Sequence, residues 1–78
     1  MSLMTVAELI PGDSFRVVAV TLSGETGKRL VEMGFCQGVE GIVVRRAPLG
    51  DPIQVEILGY QVSLRVSEAK GIIAEKGA

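Results

Sequence analysis

Seventy-eight residues leave room for one domain, 1–78, and a chain near this size buries roughly 60% of the surface it exposes when unfolded. Its 47% hydrophobic and 22% charged residues and net charge of −1 exclude a disordered tail and a polybasic nucleic-acid binder. Large catalytic clefts do not fit in so small a core.

In chain order, Thr5–Glu8 (TVAE) reads as a capping box, Thr5 accepting the N–H of Glu8 while Glu8 reaches back. The turn it opens ends at Pro11-Gly12. The β-branched run 15–21 between Gly12-Asp13 and Ser23-Gly24 reads as a first strand. The segment SGETGKRLVEMGF follows, in which Leu30 and Met33 stand three apart beside Val31. Glu25 and Glu32 alternate with Lys28 and Arg29 on the other positions. This spacing predicts one amphipathic helix of about ten residues. Gly34 is placed to stop it in the left-handed conformation, with Phe35 folding back as its hydrophobic partner. Gly27 weakens it by roughly 1 kcal/mol relative to alanine.

After the turn CQG, the pattern predicts a second strand over 40–46, a third over 53–58, a fourth over 61–66 and a fifth over 72–75. SEAKG, 67–71, resembles a one-turn 3₁₀ link before the last strand. A two-residue turn at Gly59 and Tyr60 predicts the register of the third and fourth strands. Ile57 then faces Val62, Val55 faces Leu64, and Ile53 faces Val66, apolar against apolar. A slip of one residue destroys this match. Five short antiparallel strands with tight turns and one helix between strands one and two indicate a mainly β fold, a small SH3-like five-stranded barrel.

The loop RRAPLGDP, 45–52, is longer than a plain hairpin needs. Pro48 and Pro52 each fix φ and remove a backbone donor, Gly50 and Asp51 supply the bend, and Leu49 is left as an apolar tip. Arg45 and Arg46 read as a solvated pair or as an arginine contact of the kind favoured at interfaces.

The chemistry-bearing side chains are few. With no histidine and one cysteine, neither a transition-metal site of three or four ligands nor a Ser/His or Cys/His nucleophile is expected, and no catalytic or metal residue is assigned. No phosphate-binding glycine motif follows a strand, so no cofactor is expected and the chain reads as a non-enzyme. Phe15, Phe35 and Tyr60 are too few to line a proline-rich peptide groove. Lys28, Arg29, Arg45 and Arg46 make two local pairs, which argues against nucleic acid as a partner. Apolar runs such as 17–20 and 41–44 are far shorter than the roughly 20 residues that cross a bilayer, so no direct membrane insertion is expected. MSLM lacks the features of a signal peptide. A lone Cys36 fits a reducing compartment, and the cytoplasm is the expected location.

Four blocks, VAELIPGDSFRVVAV near the start, RLxxMGF in the helix, GVEGIVVRRAPLGDP, and GYxxSLRxSEAxGI at the end, together resemble the FeoA-like family over Val6 to Glu75. The chain departs from the family after Phe35, where a Pro-Gly turn is usual and CQG stands instead. The resemblance implies a small cytoplasmic SH3-like barrel protein of bacterial ferrous iron uptake. It would act by docking to FeoB, a membrane transporter with a cytoplasmic GTPase domain. The patch expected to make that contact joins Lys28, Arg29 and Glu32 on the helix with Arg45, Arg46, Leu49 and Asp51 in the loop. Two other readings stand beside it. One is a divalent-metal-responsive domain, like the C-terminal domain of iron-dependent repressors, with Glu25, Asp51 and Glu68 brought together by packing. The other is a self-associating module, a weak homo-oligomer formed through exposed strand edges.

Overall fold

A computed structural model describes residues 2–77. The elements in chain order are β1 (Leu3–Thr5), a 3₁₀ turn (Val6–Glu8), β2 (Ser14–Val20), α1 (Gly24–Glu32), β3 (Glu40–Arg46), β4 (Ile53–Ile57), β5 (Tyr60–Leu64), α2 (Val66–Ala69) and β6 (Ile72–Lys76). All strands lie in one antiparallel sheet in the order β1-β6-β2-β3-β4-β5. The mainly β architecture with a helix between β2 and β3 is as expected. Among the described residues the strand count is not five but six, because Leu3–Thr5 pairs with Ile73–Glu75 of β6. Three residues are too few to show alternation, and only the long-range partner makes them a strand.

One core gathers Phe15 and Val17 of β2, Val43 of β3, Ile53, Val55 and Ile57 of β4, Leu64 of β5 and Ile72 and Ala74 of β6, all buried. A sheet that collects one core from five strands has to coil around it. Register shifts at Val17/Ala19 in β2 and Val43/Arg45 in β3 supply local bends, as bulges do. Val6 from the 3₁₀ turn, Leu9 just after it, Leu30 and Phe35 from α1 and its exit, and Ala69 of α2 complete the core among the described residues. Each such leucine contributes on the order of 2 kcal/mol by leaving water.

The exit from α1 is a Schellman motif. Phe35 N–H donates to the Leu30 carbonyl at 3.1 Å, Gly34 N–H to the Val31 carbonyl at 3.0 Å, and Gly34 sits at φ 115°. That is the predicted stop, and the two residues that bracket it, Leu30 and Phe35, are both buried. The helix is nine residues long, and its glycine has a reason that propensity alone does not show. A Cβ on Gly27 would lie 1.9 Å from the Leu22 carbonyl oxygen, so the first turn of α1 packs directly on the chain entering it. The unusual CQG turn is tied to β2, with Gly38 N–H donating to the Val17 carbonyl and Val17 N–H to the Val39 carbonyl, each at 2.8 Å.

One local expectation holds and two are corrected. At the N-terminus the capping box of Thr5 and Glu8 forms, Thr5 N–H donating to Glu8 Oε1 at 2.8 Å, and the turn it opens is a three-residue 3₁₀ helix that ends at Glu8, short of Pro11. The segment before the last strand is a four-residue α-helix, Val66–Ala69. Its carboxylate Glu68 accepts from Arg65 N–H at 2.9 Å through Oε1 and pairs with Arg29 of α1 through Oε2.

The second correction concerns the β4–β5 hairpin, which turns at Leu58-Gly59 and not at Gly59-Tyr60. The observed pairs are Ile57 with Tyr60, Val55 with Val62 and Ile53 with Leu64. Leu58 at φ 52° and Gly59 at φ 84° meet the requirement of a type I′ turn for positive φ at both central residues. The expected pairing is offset by two residues, and an offset of two keeps every side chain on its own face. Apolar matching therefore cannot tell the two registers apart. The outer face can: Arg45 Nε donates to Gln54 Oε1 at 2.8 Å and Gln54 Nε2 to Gln61 Oε1 at 2.5 Å, a polar ladder across β3, β4 and β5.

Candidate functional site

The loop between β3 and β4 is a shaped protrusion. Ala47 N–H donates to the Pro52 carbonyl at 3.0 Å and closes its base, and Gly50 N–H donates to the Ala47 carbonyl at 2.7 Å. Pro48 and Leu49 are thus the central residues of a β-turn, with proline at the position where its fixed φ fits. The bend lies there and not at Gly50-Asp51, although Gly50 at φ 88° carries the chain out of it. The Asp51–Pro52 peptide is cis. Leu49 stands at the apex, 97% exposed.

What holds the protrusion is Arg46. Its guanidinium donates to the carbonyls of Ala7 and Leu9, the latter at 3.1 Å, and to the Gly50 carbonyl at 3.3 Å. One side chain thereby ties the loop to the N-terminal 3₁₀ turn. A planar, always charged fork suits this task because it satisfies several carbonyls at once. Arg45, its neighbour, points to the outer face and joins the glutamine ladder. The two arginines that look equivalent in sequence have opposite duties. Asp51 closes the other end, its Oδ1 accepting from Val66 N–H at 3.2 Å at the start of α2.

On α1, Lys28 and Glu32 are exposed and make no ion pair among the described residues. Arg29 is engaged, bonded to Glu68 and lying 3.8 Å from the Met33 sulfur. The pair joins a half-exposed guanidinium to a carboxylate that is largely buried, so it anchors α1 to α2.

These bonds show how the expected patch is arranged. The loop reaches α2 through Asp51, α2 reaches α1 through Glu68, and α2 therefore stands between the two halves. Two shallow grooves meet at Arg65, at the N-terminal end of α2. One is bordered by Leu22, Ser23, Thr26, Arg65, Ser67 and Glu68, the other by Asp51, Pro52, Ser63 and Arg65. Arg65, exposed and common to both, was absent from the expected patch. Its signal was available only through the misplaced boundary, since a strand running to residue 66 hides it among alternating positions.

Among the described residues no group of three or more His, Cys, Asp and Glu side chains is placed to hold a metal ion. Asp51 and Glu68, two of the carboxylates a metal reading needs, are already bonded to a backbone amide and to Arg29. No helix among the described residues is long and apolar enough to cross a membrane.

Residues 4–76 match the FeoA domain family model. Over 72 residues the chain is 43% identical to the Fe(2+) transport protein A/Fe(2+) transporter FeoB fusion protein of Porphyromonas gingivalis, covering 92% of this chain and 8% of that protein. The chain thus spans less than a tenth of that relative's length. The FeoA protein of Chlorobium tepidum superposes with a TM-score of 0.89 at 37% identity, covering 96% of this chain and 71% of that one. FeoA of Stenotrophomonas maltophilia, solved with zinc and described as a prokaryotic SH3 domain protein, superposes with a TM-score of 0.82 at 34% identity, covering 92% and 89%. The family match over nearly every residue and the shared SH3-like fold agree, and this chain belongs to the FeoA domain family.

Proposed function

We propose that this chain is a non-enzymatic accessory domain of ferrous iron uptake that works in the cytoplasm by docking to the cytoplasmic part of a FeoB-type transporter. The observation that carries the reading is the Porphyromonas gingivalis relative, in which a domain 43% identical to this chain shares one polypeptide with FeoB. Joining two domains in one chain holds them at effective concentrations in the mM range, which is useful where the two must touch.

The contact is assigned to the loop and its surroundings: Leu49 at the apex, Arg45 and Asp51 beside it, and the exposed Lys28 and Glu32 across α2. Leu49 is an apolar side chain presented at 97% exposure on a loop whose base is fixed by Arg46, so little order has to be gained on binding. Burying one leucine contributes about 1.5–3 kcal/mol, roughly ten- to hundredfold in affinity. Leu49→Asp is therefore expected to keep the fold and to weaken association with the cytoplasmic part of FeoB at least tenfold in a quantitative pull-down. Unchanged binding would remove the loop from the interface. Absence of association by the parent protein would overturn the docking reading itself.

A further inference from the structure

The tip of the β4–β5 hairpin, at the opposite end of β4 from the 45–52 loop, carries a second exposed apolar surface. Leu58 is 66% exposed and Ile42, on the outer face of β3, is 40% exposed. The two share a shallow groove with Glu40, Gly41, Glu56 and Ile57. Its geometry is fixed from below. Leu58 lies against Gly34, where an added Cβ would meet the Leu58 side chain at 2.6 Å, and the Tyr60 hydroxyl donates to the Met33 carbonyl. The end of α1 and the hairpin tip therefore form one rigid support. Gly41 keeps the floor low, since a Cβ there would lie 2.6 Å from both Ile57 and Phe15.

Two features distinguish this groove from an ordinary solvated hairpin. First, Leu58 holds φ 52° at a turn position where Asn, Asp or Gly is at ease, so an apolar side chain is kept at the surface in spite of its backbone cost. Second, the groove's charge has one sign. Glu40 and Glu56 line it with no cationic side chain among the lining residues. Arg16 reaches Glu40 at 3.3 Å, with both side chains more than half exposed, a pair that contributes little in water. Glu56 has no ion-pair partner among the described residues.

We infer that the Ile42–Leu58 groove is a docking surface for a basic amphipathic segment of a partner protein, its apolar side chains on Leu58 and Ile42 and its Lys or Arg residues on Glu56 and Glu40. An apolar centre with a charged rim is the usual anatomy of a protein interface, and rim charges of one sign select a partner of the other. This surface stands on its own observations and is separate from the loop assigned above.

The test uses the isotope-labelled protein and two 14-residue helical probe peptides of equal apolar content, LKKLLKLLKKLLKL and its glutamate counterpart LEELLELLEELLEL. The lysine peptide is expected to shift the amide resonances of 41–42 and 56–59 in a saturable titration, and the glutamate peptide to leave them in place. Leu58→Asn keeps a residue suited to positive φ, and Glu56→Lys lies on the exposed outer face. Each is expected to retain the thermal midpoint within a few degrees and to weaken the lysine peptide at least fivefold. Shifts centred on Leu49 or elsewhere, equal binding of both peptides, or unchanged affinity in both variants would overturn the assignment. Concentration-dependent shifts of the same resonances without peptide would do so too, by making a second copy of the chain the occupant.

Discussion

The two hairpin connections that flank β4 solve the same problem by opposite means. Between β3 and β4, six residues are shaped by side chains acting at a distance: Arg46 at the end of β3 on the carbonyls of Ala7, Leu9 and Gly50, and Asp51 on the amide of Val66. Between β4 and β5, two residues suffice, and the backbone alone sets the turn through positive φ at Leu58 and Gly59. Each connection ends with an exposed leucine. The long loop can change its apex freely because its base carries the structure, whereas the short turn has no base and its apex residues are its structure.

That contrast is broken most forcefully at Arg46. Arg46→Ala removes a charged donor from three carbonyls that the fold has partly withdrawn from water. Hydrogen bonds from charged groups contribute about 1.5–3 kcal/mol, less where solvent reaches them, so the expected loss is about 2–4 kcal/mol in urea unfolding. Arg45→Ala, which cuts only the exposed bond to Gln54, is expected to cost less than about 0.5 kcal/mol. Equal effects from the two would mean that the loop is not held by its base.

A smaller effect is expected from the backbone of the short turn. Gly59 has nothing within 4 Å of where a Cβ would stand, so Gly59→Ala tests φ 84° with no steric collision. The left-handed conformation costs an L-residue roughly 1–2 kcal/mol, and urea unfolding should show a loss of about that size. The corresponding change at Gly50, φ 88°, tests the loop by the same measure. If both respond alike, backbone strain and not tertiary bonding is what the two connections share.

The parts of this arrangement that the sequence made legible are those with a local cause. The helix stop at Gly34-Phe35, the strands 40–46 and 53–57 and the inward face of β4 all follow from periodicity or from one residue's conformational preference. What stayed hidden depends on partners far along the chain. β1 needs β6. Arg29 was expected to be free for a partner, yet it is taken by Glu68, 39 positions away. Arg46 reads as half of a surface pair and is in fact bonded to Ala7 and Leu9. The hairpin register failed for a different reason. An offset of two residues preserves the burial pattern completely, so only the outer-face ladder and the turn conformation separate the alternatives. Neither is visible in the alternation of apolar residues. Of the expected contact residues, the exposed apex Leu49 was legible because its neighbours Pro48 and Gly50 force a turn, while the interposed Arg65 was concealed by the same error in the strand boundary.

The smallest expected stability effects fall on the two leucines, and they sharpen the comparison because equal outcomes have unequal causes. Leu49 is 97% exposed and buries almost nothing, so Leu49→Asp should change the unfolding free energy by less than about 0.5 kcal/mol. Leu58 is 66% exposed and gives up some packing on Gly34 when truncated, worth about 0.5–1 kcal/mol. Leu58→Gly also releases a left-handed leucine, a gain of about 1–2 kcal/mol, partly offset by the greater freedom of glycine in the unfolded chain. The two terms nearly cancel, and Leu58→Gly should stay within about 0.5 kcal/mol of the parent. The double substitution Leu58→Gly with Gly34→Ala separates the causes. Truncating Leu58 removes the 2.6 Å collision that alanine at 34 would meet and leaves the strain of φ 115°. The cost of Gly34→Ala should therefore fall by about 1 kcal/mol in the Leu58→Gly background, measured as a double-mutant cycle. A cycle with no coupling would show that Leu58 does not rest on the end of α1, and the hairpin tip would then be as independent of the helix as the apex of the long loop is.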